Sequence, residues 1–504
     1  MRYFLGIDNG GTSTKAALYD ENGYECAVAS ESTPTLCPRP GFAECDMDRM
    51  WSVSASMIHS VLETSGIDAS MIAGIACCGH GKGLYLIDAD GLPVRHGILS
   101  ADTRALSYEK AWRDNGTEAA AYPYSLQRVM ACQPVALLAW LRDHEPETLQ
   151  KIHRVLSCKD YIRYRLTGEA YAELSDISGT GLLNLNTRDY DRELLKLFGI
   201  EFIESSLPPL RESLACCGTV TPKAAMETGL REGTPVFGGA FDIDACALSV
   251  GAITSKDLCM ISGTWSINEY VSDTPVISKD MQMNSLFCLD KKFLIEESSA
   301  TSAGNSEWFL AQILQLAPDG SKTIYACANE AVASIPSWEP CPVYLPFIMA
   351  SNVNPDAMGA FVGLSQHQTW RHLVRSVYEG VAFCHRQHYE RLLRPRKQPV
   401  AEIRLAGGAA RSKVWTQMFA DIMGVPVRSV DTTETGTLGC AILAATASGC
   451  KHSIEDAISS MVRLGELVFP NQKQIADYNT KYQRYRATID ALDPVWSSFR
   501  DNRT

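Results

Sequence analysis

The sequence predicts an α/β protein in which short buried strands alternate with helices. Apolar runs at residues 3–7 and 72–77 have the length and composition of buried strands, and each leads directly into a glycine-containing turn. Helical periodicity occupies much of the intervening chain, for example residues 46–64, where Asp46 is a suitable N-cap. The first strand and turn are echoed from residue 258, which indicates an internal duplication.

The first strand ends in an acidic residue and a glycine turn that together suit a phosphate group. Asp8 is followed by Gly10 and Gly11, then by the hydroxyls of Thr12 and Ser13, before the next strand begins. Glycines allow a tight turn and a close approach of the backbone to a ligand. Successive N–H groups and hydroxyls can hold phosphate oxygens, and Mg²⁺ prefers a carboxylate together with phosphate oxygens.

Two commoner glycine motifs fit this turn less well. A dinucleotide fingerprint needs G-x-G-x-x-G opening a helix, but a strand follows here. A Walker loop needs Gly-Lys-Ser/Thr after the glycines, and that is absent. A plain hairpin turn that carries a surface aspartate stays open as an interpretation of this stretch.

Composition excludes several classes of function. The 504 residues carry a net charge of −12, with 46% hydrophobic and 21% charged residues, which is ordinary for a globular protein. General binding to nucleic acid or to an anionic membrane needs a basic face and is not expected. The 17 cysteines lack zinc-ribbon spacing, and Asp8 interrupts the N-terminus before any long apolar stretch, so we expect a reduced, cytoplasmic protein without a signal segment.

Acidic or glycine sites recur at predicted strand ends along the whole chain. In order they are Asp8, Gly10–Gly11, Asp242, Gly263–Thr264 and Gly407–Gly408. This series resembles the FGGY family of carbohydrate kinases, within the sugar kinase/Hsp70/actin superfamily. The resemblance implies two ribonuclease-H-like domains that flank a central cleft for ATP and sugar. We expect a sugar-binding domain with the first hairpin at 1–250 and a nucleotide-binding domain at 251–504.

Further runs support the resemblance over nearly the whole length. Residues 159–161 with 166–169, and residues 359–379, are similar to family signatures. Within the family, residues 81–88 and 304–309 are most similar to the bacterial L-xylulose kinase branch. The loop 350–355 departs from the usual Gly-Glu-Arg-x-Pro pattern, and Leu137 replaces the usual Lys of the first signature.

The resemblance assigns a nucleotide role to residues of both halves. Lys15 also suits a solvated lysine at a strand end, Thr264 suits strand packing, and Ser412 suits a helix cap. The expected nucleotide-binding residues are Gly10, Gly11, Thr12, Ser13, Lys15, Gly263, Thr264, Gly304, Gly407, Gly408 and Ser412.

The resemblance also assigns the catalytic acids. Asp242 matches the catalytic base, which accepts the proton of the attacking sugar hydroxyl, and Asp8 is expected to act with Mg²⁺; both acids are expected near the metal. Asp242 also suits an N-cap before Ile243. Asp244 lies two residues further on and ranks lower as the base, because the family motif places the acid directly after Gly-Gly-x-x.

The expected sugar-binding residues are Gly81, Lys82, Asp102 and Asp242. Lys82 stands where xylulokinase-like members carry His. A lysine has three donors and no acceptor, so we hypothesise that Lys82 shifts preference away from D-xylulose. His80 is expected to be a packed histidine at a strand end.

The resemblance therefore implies an ATP- and Mg²⁺-dependent kinase for a terminal hydroxyl of a ketopentose, L-xylulose first. D-xylulose, L-ribulose and erythritol- or glycerol-type polyols are the alternative substrates. A second class is an ATP-switched binding protein on the same scaffold, since a fold does not fix a function. The expected partners are the sugar and ATP, with a homodimer as the assembly.

Overall fold

A computed structural model describes residues 1–278, 281–315, 323–396, 398–430, 432 and 434–502. The chain forms two compact units. Unit 1 contains Met1–Gly251, Ser272–Ile295 and Thr432–Val462, and unit 2 contains Ala252–Val271, Glu296–Asp431 and Arg463–Thr504. Two segments from the second half of the chain thus fold with the first half.

The strands of the described residues are β1 (Tyr3–Asn9), β2 (Ser13–Asp20), β3 (Glu25–Ser32), β4 (Glu44–Cys45), β5 (Ile72–Gly79), β6 (Tyr85–Ile87), β7 (Gly97–Ile98), β8 (Arg154–Leu156), β9 (Ala172–Glu173), β10 (Leu183–Asn184), β11 (Asp189–Tyr190), β12 (Leu210–Arg211), β13 (Cys216–Thr219), β14 (Pro235–Phe237), β15 (Ala240–Phe241), β16 (Asp257–Ser262), β17 (Ser266–Ser272), β18 (Met283–Leu286), β19 (Phe293–Ser299), β20 (Val343–Leu345), β21 (Ala360–Val362), β22 (Glu402–Gly407), β23 (Val427–Val430) and β24 (Leu464–Val468).

The α-helices of the same residues are α1 (Met47–Ser65), α2 (Leu106–Asp114), α3 (Thr117–Ser125), α4 (Pro134–His144), α5 (Pro146–Leu149), α6 (Cys158–Thr167), α7 (Leu174–Ile177), α8 (Arg192–Phe198), α9 (Pro222–Thr228), α10 (Asp242–Ser249), α11 (Gly304–Trp308), α12 (Ile324–Ala333), α13 (Trp370–Leu393), α14 (Lys413–Met423), α15 (Thr435–Ala447), α16 (Ile454–Met461) and α17 (Gln472–Leu492).

The main sheet of unit 1 has the strand order β13-β14-β5-β1-β2-β3, with β15 also paired to β5. Strands β1, β2 and β3 are antiparallel neighbours, whereas β5 runs parallel to β1, β14 and β15. This combination of an antiparallel meander with parallel strands confirms the predicted α/β class. It also brings the carboxyl ends of β1, β5 and β15 to one edge of the sheet, where ligands bind in α/β proteins.

The sheet of unit 2 repeats this arrangement around a second hairpin. Strands β16 and β17 are antiparallel, and β16 also pairs in parallel with β22, as β1 pairs with β5. The path continues through β23 to β24. The internal duplication seen in the sequence is therefore present in the strand pairing.

Local signals place several helix ends well. Asp46 caps α1 by accepting the N–H groups of Asp48 and Arg49, and Ser412 caps α14 by accepting the N–H of Trp415. The strands β8, β18 and β19 were not predicted. Strand β8 lies within residues 105–166, a region whose sequence is dominated by helical periodicity.

Helix α15 packs on strand β1 through glycine. A Cβ on Gly6 would lie 2.1 Å from the carbonyl oxygen of Thr437, so the strand and the helix backbone are in direct contact. The helix is rich in small residues and most of its length is buried. Across the described residues, no helix combines the length and the apolar composition that a membrane crossing needs.

The Gly6→Ala variant should be clearly less stable, because its methyl group would collide with rigid backbone. Overpacking of this kind costs about 3 kcal/mol, which corresponds to a Tm lower by about 5–10 °C in a domain of this size. Thermal unfolding measures the change. The matched control is Gly11→Ala, whose Cβ would meet nothing within 4 Å; an equal loss of Tm in both variants would contradict the packing argument.

Candidate active site

The acids Asp8 and Asp242 lie at the same edge of the unit 1 sheet. Cys78 on β5 is paired with Asp8 on one side and with Ala240 on the other, and Asp242 follows two residues after Ala240. Two strand spacings, about 10 Å, therefore separate the strands that deliver the acids. Burial, and then neighbours that include the charges of both Asp8 and Asp242, raise the pKa of the Cys78 thiol.

Asp8 offers an oxygen that suits a cation. Its Oδ1 is buried and has no hydrogen-bond partner among the residues that the structure describes. Burial raises the pKa of Asp8, while the positive charge of Lys15 and a hydrogen bond from Cys78 act in the opposite direction. The residue as a whole stays partly exposed, so a ligand can reach it.

The turn after β1 leaves room above its glycines. A Cβ on Gly11 would meet no atom within 4 Å, and one on Gly10 would meet only the Ser13 carbonyl oxygen, at 3.3 Å. Neither glycine has a positive φ. The protein's own packing therefore does not explain glycine at these positions. Thr12 is exposed and Ser13 is partly exposed beside them.

Lys15 forms an ion pair with an acid from the second half of the chain. Its Nζ lies 2.6 Å from Oε2 of Glu434, just before α15, and both side chains are partly buried. In the hairpin register Lys15 stands opposite Asp8. A cation and two carboxylates thus lie together beside the glycine turn.

Asp242 and Asp244 occupy very different surroundings. Asp242 is the first residue of α10 and is partly exposed, whereas Asp244 is completely buried. The partial positive charge of a helix N-terminus favours an ionised carboxylate at the position of Asp242. Burial first, and then the carboxylates of Glu173, Asp176 and Asp242, raise the pKa of Asp244 well above its usual range. Only Asp242 of this pair is open to a substrate.

The Gly81–Lys82 segment lies against the residue that precedes Asp242. A Cβ on Gly81 would lie 2.2 Å from the ring of Phe241. Lys82 is buried and has a φ of 62°, which is unusual for a residue with a side chain. His80 is also buried, its Nε2 lies 2.7 Å from the Tyr85 hydroxyl, and burial lowers its pKa to about 4. His80 is therefore a neutral packed histidine, as the sequence predicts.

Asp102 is engaged in a buried ion pair. Its Oδ1 accepts the backbone N–H and the Nε–H of Arg104, both at 2.9 Å, and its Oδ2 accepts the N–H of Ala43 at 2.7 Å. The Arg104 guanidinium also bonds Oδ2 at 2.8 Å. The contact of Asp102 with the sugar stays a prediction. In the structure, Asp102 holds Arg104 and the backbone at Ala43 in place.

In unit 2, the expected nucleotide residues gather around the end of β16. A Cβ on Gly263 would meet nothing within 4 Å, like one on Gly11. The N–H of Gly304 donates to the Gly263 carbonyl at 3.2 Å, and a Cβ on Gly304 would lie 3.4 Å from the Cα of Thr264. Gly407 has a φ of 83°, and its Cβ would lie 2.5 Å from the Ser262 carbonyl oxygen.

The remaining two residues of this set lie close by in sequence but differ in role. A Cβ on Gly408 would lie 3.7 Å from the Ser262 carbonyl oxygen. Ser412 caps α14 and also donates to Oδ1 of Asn329 at 2.8 Å. Helix capping is therefore its observed function, and nucleotide contact stays a prediction.

Sequence reasoning missed residues that shape this edge of unit 1. A Cβ on Gly436 would lie 2.4 Å from Oδ2 of Asp8, so only glycine fits there. Ser175 accepts the backbone N–H of Phe241 at 3.0 Å. Both residues lie in runs that resemble family segments, but their contacts join segments distant in sequence, which no local pattern shows.

The geometry combines an α/β fold with duplicated glycine hairpins and two reachable acids at one sheet edge. The N-terminal domain of the FGGY family of carbohydrate kinases matches residues 3–249, and the C-terminal domain of that family matches residues 258–448. The chain therefore belongs to the FGGY family of carbohydrate kinases, whose co-substrate is ATP. The predicted family and enzyme class, a phosphotransferase with an alcohol acceptor, are confirmed.

Individual relatives agree with the family. The chain is 37% identical over 495 residues to a probable L-xylulose kinase of Pasteurella multocida, covering 98% of this chain and 99% of that protein. It is 36% identical to the L-xylulose/3-keto-L-gulonate kinase of Escherichia coli, covering 99% of each. A solved xylulose kinase from Rhodospirillum rubrum superimposes with a TM-score of 0.85 at 27% identity, covering 98% of this chain and 100% of that one. The predicted sugar-kinase fold is confirmed.

The Asp244→Asn variant should be more stable than the parent at pH 8, and the advantage should shrink toward pH 4. Asp244 has a raised pKa in the folded protein. Its contribution to stability is thus complete below the unfolded pKa, near 4, and is lost as pH rises toward the folded pKa, by about 1.4 kcal/mol per pH unit. Asparagine does not ionise and keeps an oxygen for the Cys288 N–H. Thermal unfolding across pH 4–8 measures the difference in Tm; a difference that does not change with pH would contradict the assignment.

Proposed function

We propose that this kinase transfers the γ-phosphoryl group of ATP to a terminal hydroxyl of a ketopentose, with L-xylulose as the first candidate. The observation that carries the proposal is the pair of reachable acids, Asp8 and Asp242, at one sheet edge, with Asp244 buried behind them. L-Xylulose is named in both relatives described above. A binding protein that is only switched by ATP and does not catalyse a reaction would not need a second reachable acid.

Asp242 acts as the general base in this proposal. The sugar hydroxyl oxygen attacks the γ-phosphorus, its proton passes to the Asp242 carboxylate, and the bond from phosphorus to the β-γ bridging oxygen breaks to release ADP. Phosphoryl transfer depends mainly on positioning and charge neutralisation. The carboxylate stands at the N-terminus of α10, where the partial positive charge of the helix favours negative charge.

The residues near Asp8 fit Mg²⁺ bound through phosphate. The buried Oδ1 of Asp8 is available, and the space over Gly11 admits a phosphate group close to the backbone. No group of three or more His, Cys, Asp or Glu residues suits a metal within the described ranges, which agrees with a metal held by one or two carboxylates plus substrate oxygens. When bound, Mg²⁺ neutralises charge on the phosphates. Asp8 would hold it, and Asp242 is proposed near it.

The open tip of the second hairpin supports a phosphate-binding role for unit 2, like the role proposed for the first hairpin of unit 1. Gly263 leaves its backbone accessible in the same way as Gly11, and Thr264 supplies a hydroxyl beside it. We assign Gly263, Thr264 and Gly304 to the nucleotide phosphates, and Gly407 and Gly408 to the adenosine. The homodimer and the cytoplasmic location stay predictions.

An acidic sugar is a second candidate substrate because of Lys82. The E. coli relative's name includes 3-keto-L-gulonate, which carries a carboxylate. A buried ammonium next to the strand end that delivers Asp242 is a group that recognises such an anion, since charge-assisted hydrogen bonds are strong. D-Xylulose, L-ribulose and erythritol- or glycerol-type polyols are neutral, like L-xylulose, and would gain no such charged contact. They rank below L-xylulose because two curated relatives are named for that sugar.

The Asp242→Asn variant should lose about 10²–10⁴ in kcat, the usual contribution of a general base, while it still binds ATP. A coupled ADP-release assay measures kcat, and calorimetry measures nucleotide affinity.

The matched control is Asp244→Asn, the same substitution two residues further on. It should keep kcat within about threefold, because a buried residue does not touch substrate. Near-normal turnover in Asp242→Asn, or equal losses in both variants, would remove Asp242 from the role of base.

Replacement of Lys82 should change the choice of sugar. The parent, Lys82→His and Lys82→Met are compared on L-xylulose, D-xylulose and 3-keto-L-gulonate. Loss of the ammonium should lower kcat/KM on the acidic sugar about 10- to 100-fold more than on the neutral sugars, as expected for a hydrogen bond to a charged group. Lys82→His should also improve D-xylulose relative to L-xylulose. Histidine tolerates the left-handed backbone well. An unchanged order of preference in both variants rejects the role of Lys82.

A further inference from the structure

A buried ionic cluster lies in unit 1 beside the turn that precedes Asp242. Its members are Lys159, Arg163, Asp160, Glu173 and Asp176, whose side chains are all fully buried. Nζ of Lys159 lies 2.7 Å from Oδ1 of Asp160 and 3.2 Å from Oε2 of Glu173, and the Arg163 guanidinium lies 2.8 Å from Asp160. Oδ2 of Asp176 lies 3.8 Å from Nζ of Lys159, so two cations face three carboxylates, and burial raises the pKa of Asp176 to about 7.

Glu173 connects this cluster to two serines. The Ser175 hydroxyl donates to Oε2 at 2.8 Å, and the Ser213 hydroxyl donates to Oε1 at 2.6 Å. The Ser175 N–H also donates to Oε1, at 2.9 Å. Both carboxylate oxygens of Glu173 are thus used to fix the serines in place.

The serines and Arg163 in turn hold the turn 238–241. Oγ of Ser175 accepts the N–H of Phe241 at 3.0 Å, and the Ser213 carbonyl accepts the N–H of Gly239 at 3.1 Å. Arg163 donates to the Gly238 carbonyl at 2.8 Å. Three backbone groups directly before Asp242 are therefore bonded to the cluster or to residues that it fixes.

Packing on the opposite side leaves the same turn little freedom. Gly239 has a φ of 78°, and a Cβ there would lie 1.9 Å from the carbonyl oxygen of Cys77 on β5. The turn is thus held between strand β5 and the ionic cluster. A shift of the cluster would move the start of α10.

Buried charge pairs of this kind contribute little net stability to a protein interior. Desolvation of each ion offsets most of the attraction, and apolar side chains of similar volume are often at least as stabilising. Stability alone therefore does not explain five ionisable residues at this place. Their hydrogen bonds are directional, however, and fix a backbone geometry that apolar contacts would leave free.

We propose that Glu173 and Ser175 are positioning residues for catalysis, which hold the Phe241–Asp242 segment so that the Asp242 carboxylate meets the sugar hydroxyl. This inference rests on the proposed role of Asp242 as base. Ser175 does not touch the substrate and acts through the N–H of Phe241. Because a displacement of about 1 Å can cost about 100-fold in rate, the loss of this bond should appear in kcat.

The test begins with Ser175→Ala, which removes the acceptor for Phe241 N–H and one donor to Glu173. We expect kcat to fall about 10- to 100-fold, with KM for ATP and for sugar within about threefold of the parent. Hydrogen exchange of the peptide that contains residues 238–242 should become faster, because the Phe241 amide loses its partner.

The matched control is Ser178→Ala, in the same buried neighbourhood. The Ser178 hydroxyl accepts the N–H of Leu286 at 2.9 Å and donates to the carbonyl of Ser175 at 2.7 Å, so its removal also breaks one accepted and one donated bond. It makes no bond to Glu173 or to the turn. Its kcat and its exchange at residues 238–242 should match the parent.

A double-mutant cycle with Asp242→Asn separates positioning from general loss of structure. If Ser175 acts through the base, Ser175→Ala should change kcat little once the base is gone. An equal loss of kcat with and without the base, or a normal kcat in Ser175→Ala, overturns the positioning role.

The same cycle separates this inference from the proposed function. Normal turnover of Asp242→Asn alone overturns the base assignment, and the positioning role falls with it. An impaired Asp242→Asn beside a normal Ser175→Ala overturns only the positioning role. If Ser175→Ala fails to fold, Ser213→Ala replaces it in the cycle, since it removes one of the two bonds to Oε1 of Glu173 and leaves the backbone bond to Gly239. The expected non-additivity with Asp242→Asn is then smaller but of the same sign, and full additivity overturns the proposal.

Discussion

Close backbone packing of helix α15 is the constraint on which the acidic edge of unit 1 depends. Gly6 of β1 touches the backbone of Thr437, and a Cβ on Gly439 would lie 2.1 Å from the carbonyl oxygen of Ala245 in α10. One helix therefore contacts both the strand that carries Asp8 and the helix that begins at Asp242. Any side chain at these glycines would push the elements apart, and the separation of the two acids would change with them.

This constraint also explains which parts of the site the sequence could predict. The strand, the glycine turn and the acid at Asp8 are contiguous, so their pattern is visible locally, and the caps Asp46 and Ser412 were predicted for the same reason. Gly436 stands about 430 positions from Asp8 along the chain, yet it lies against the carboxylate. Only the folded chain reveals such a pairing, because no local propensity encodes it. The strands β18 and β19 were also missed, although β19 pairs with β18 and with β17, its neighbours along the chain.

The charged residues show a second limit of sequence reasoning. Asp102 and Asp242 both follow strands and look alike in the sequence, but Arg104 fills the hydrogen-bonding capacity of Asp102, whereas Asp242 begins a helix at a partly exposed edge. Asp244 is an acid in the same helix, and burial, more than any neighbouring charge, raises its pKa and keeps it from serving as a base. The chemistry of a carboxylate is thus decided by solvent access and by its partners, which the residue type does not specify.

Glycines in this protein divide into two physical classes, and the division carries the argument about the ligand. Gly6, Gly239, Gly407 and Gly436 would each collide with a nearby atom, so packing inside the protein explains them. Gly11 and Gly263 sit at the tips of the two hairpins, have no positive φ and would meet nothing, so packing does not explain them. The proposed phosphate ligand would explain them, because rows of backbone N–H donors hold phosphate oxygens well. If both hairpins bind the same kind of ligand, as proposed, the duplication of the fold explains why such glycines recur at equivalent turns.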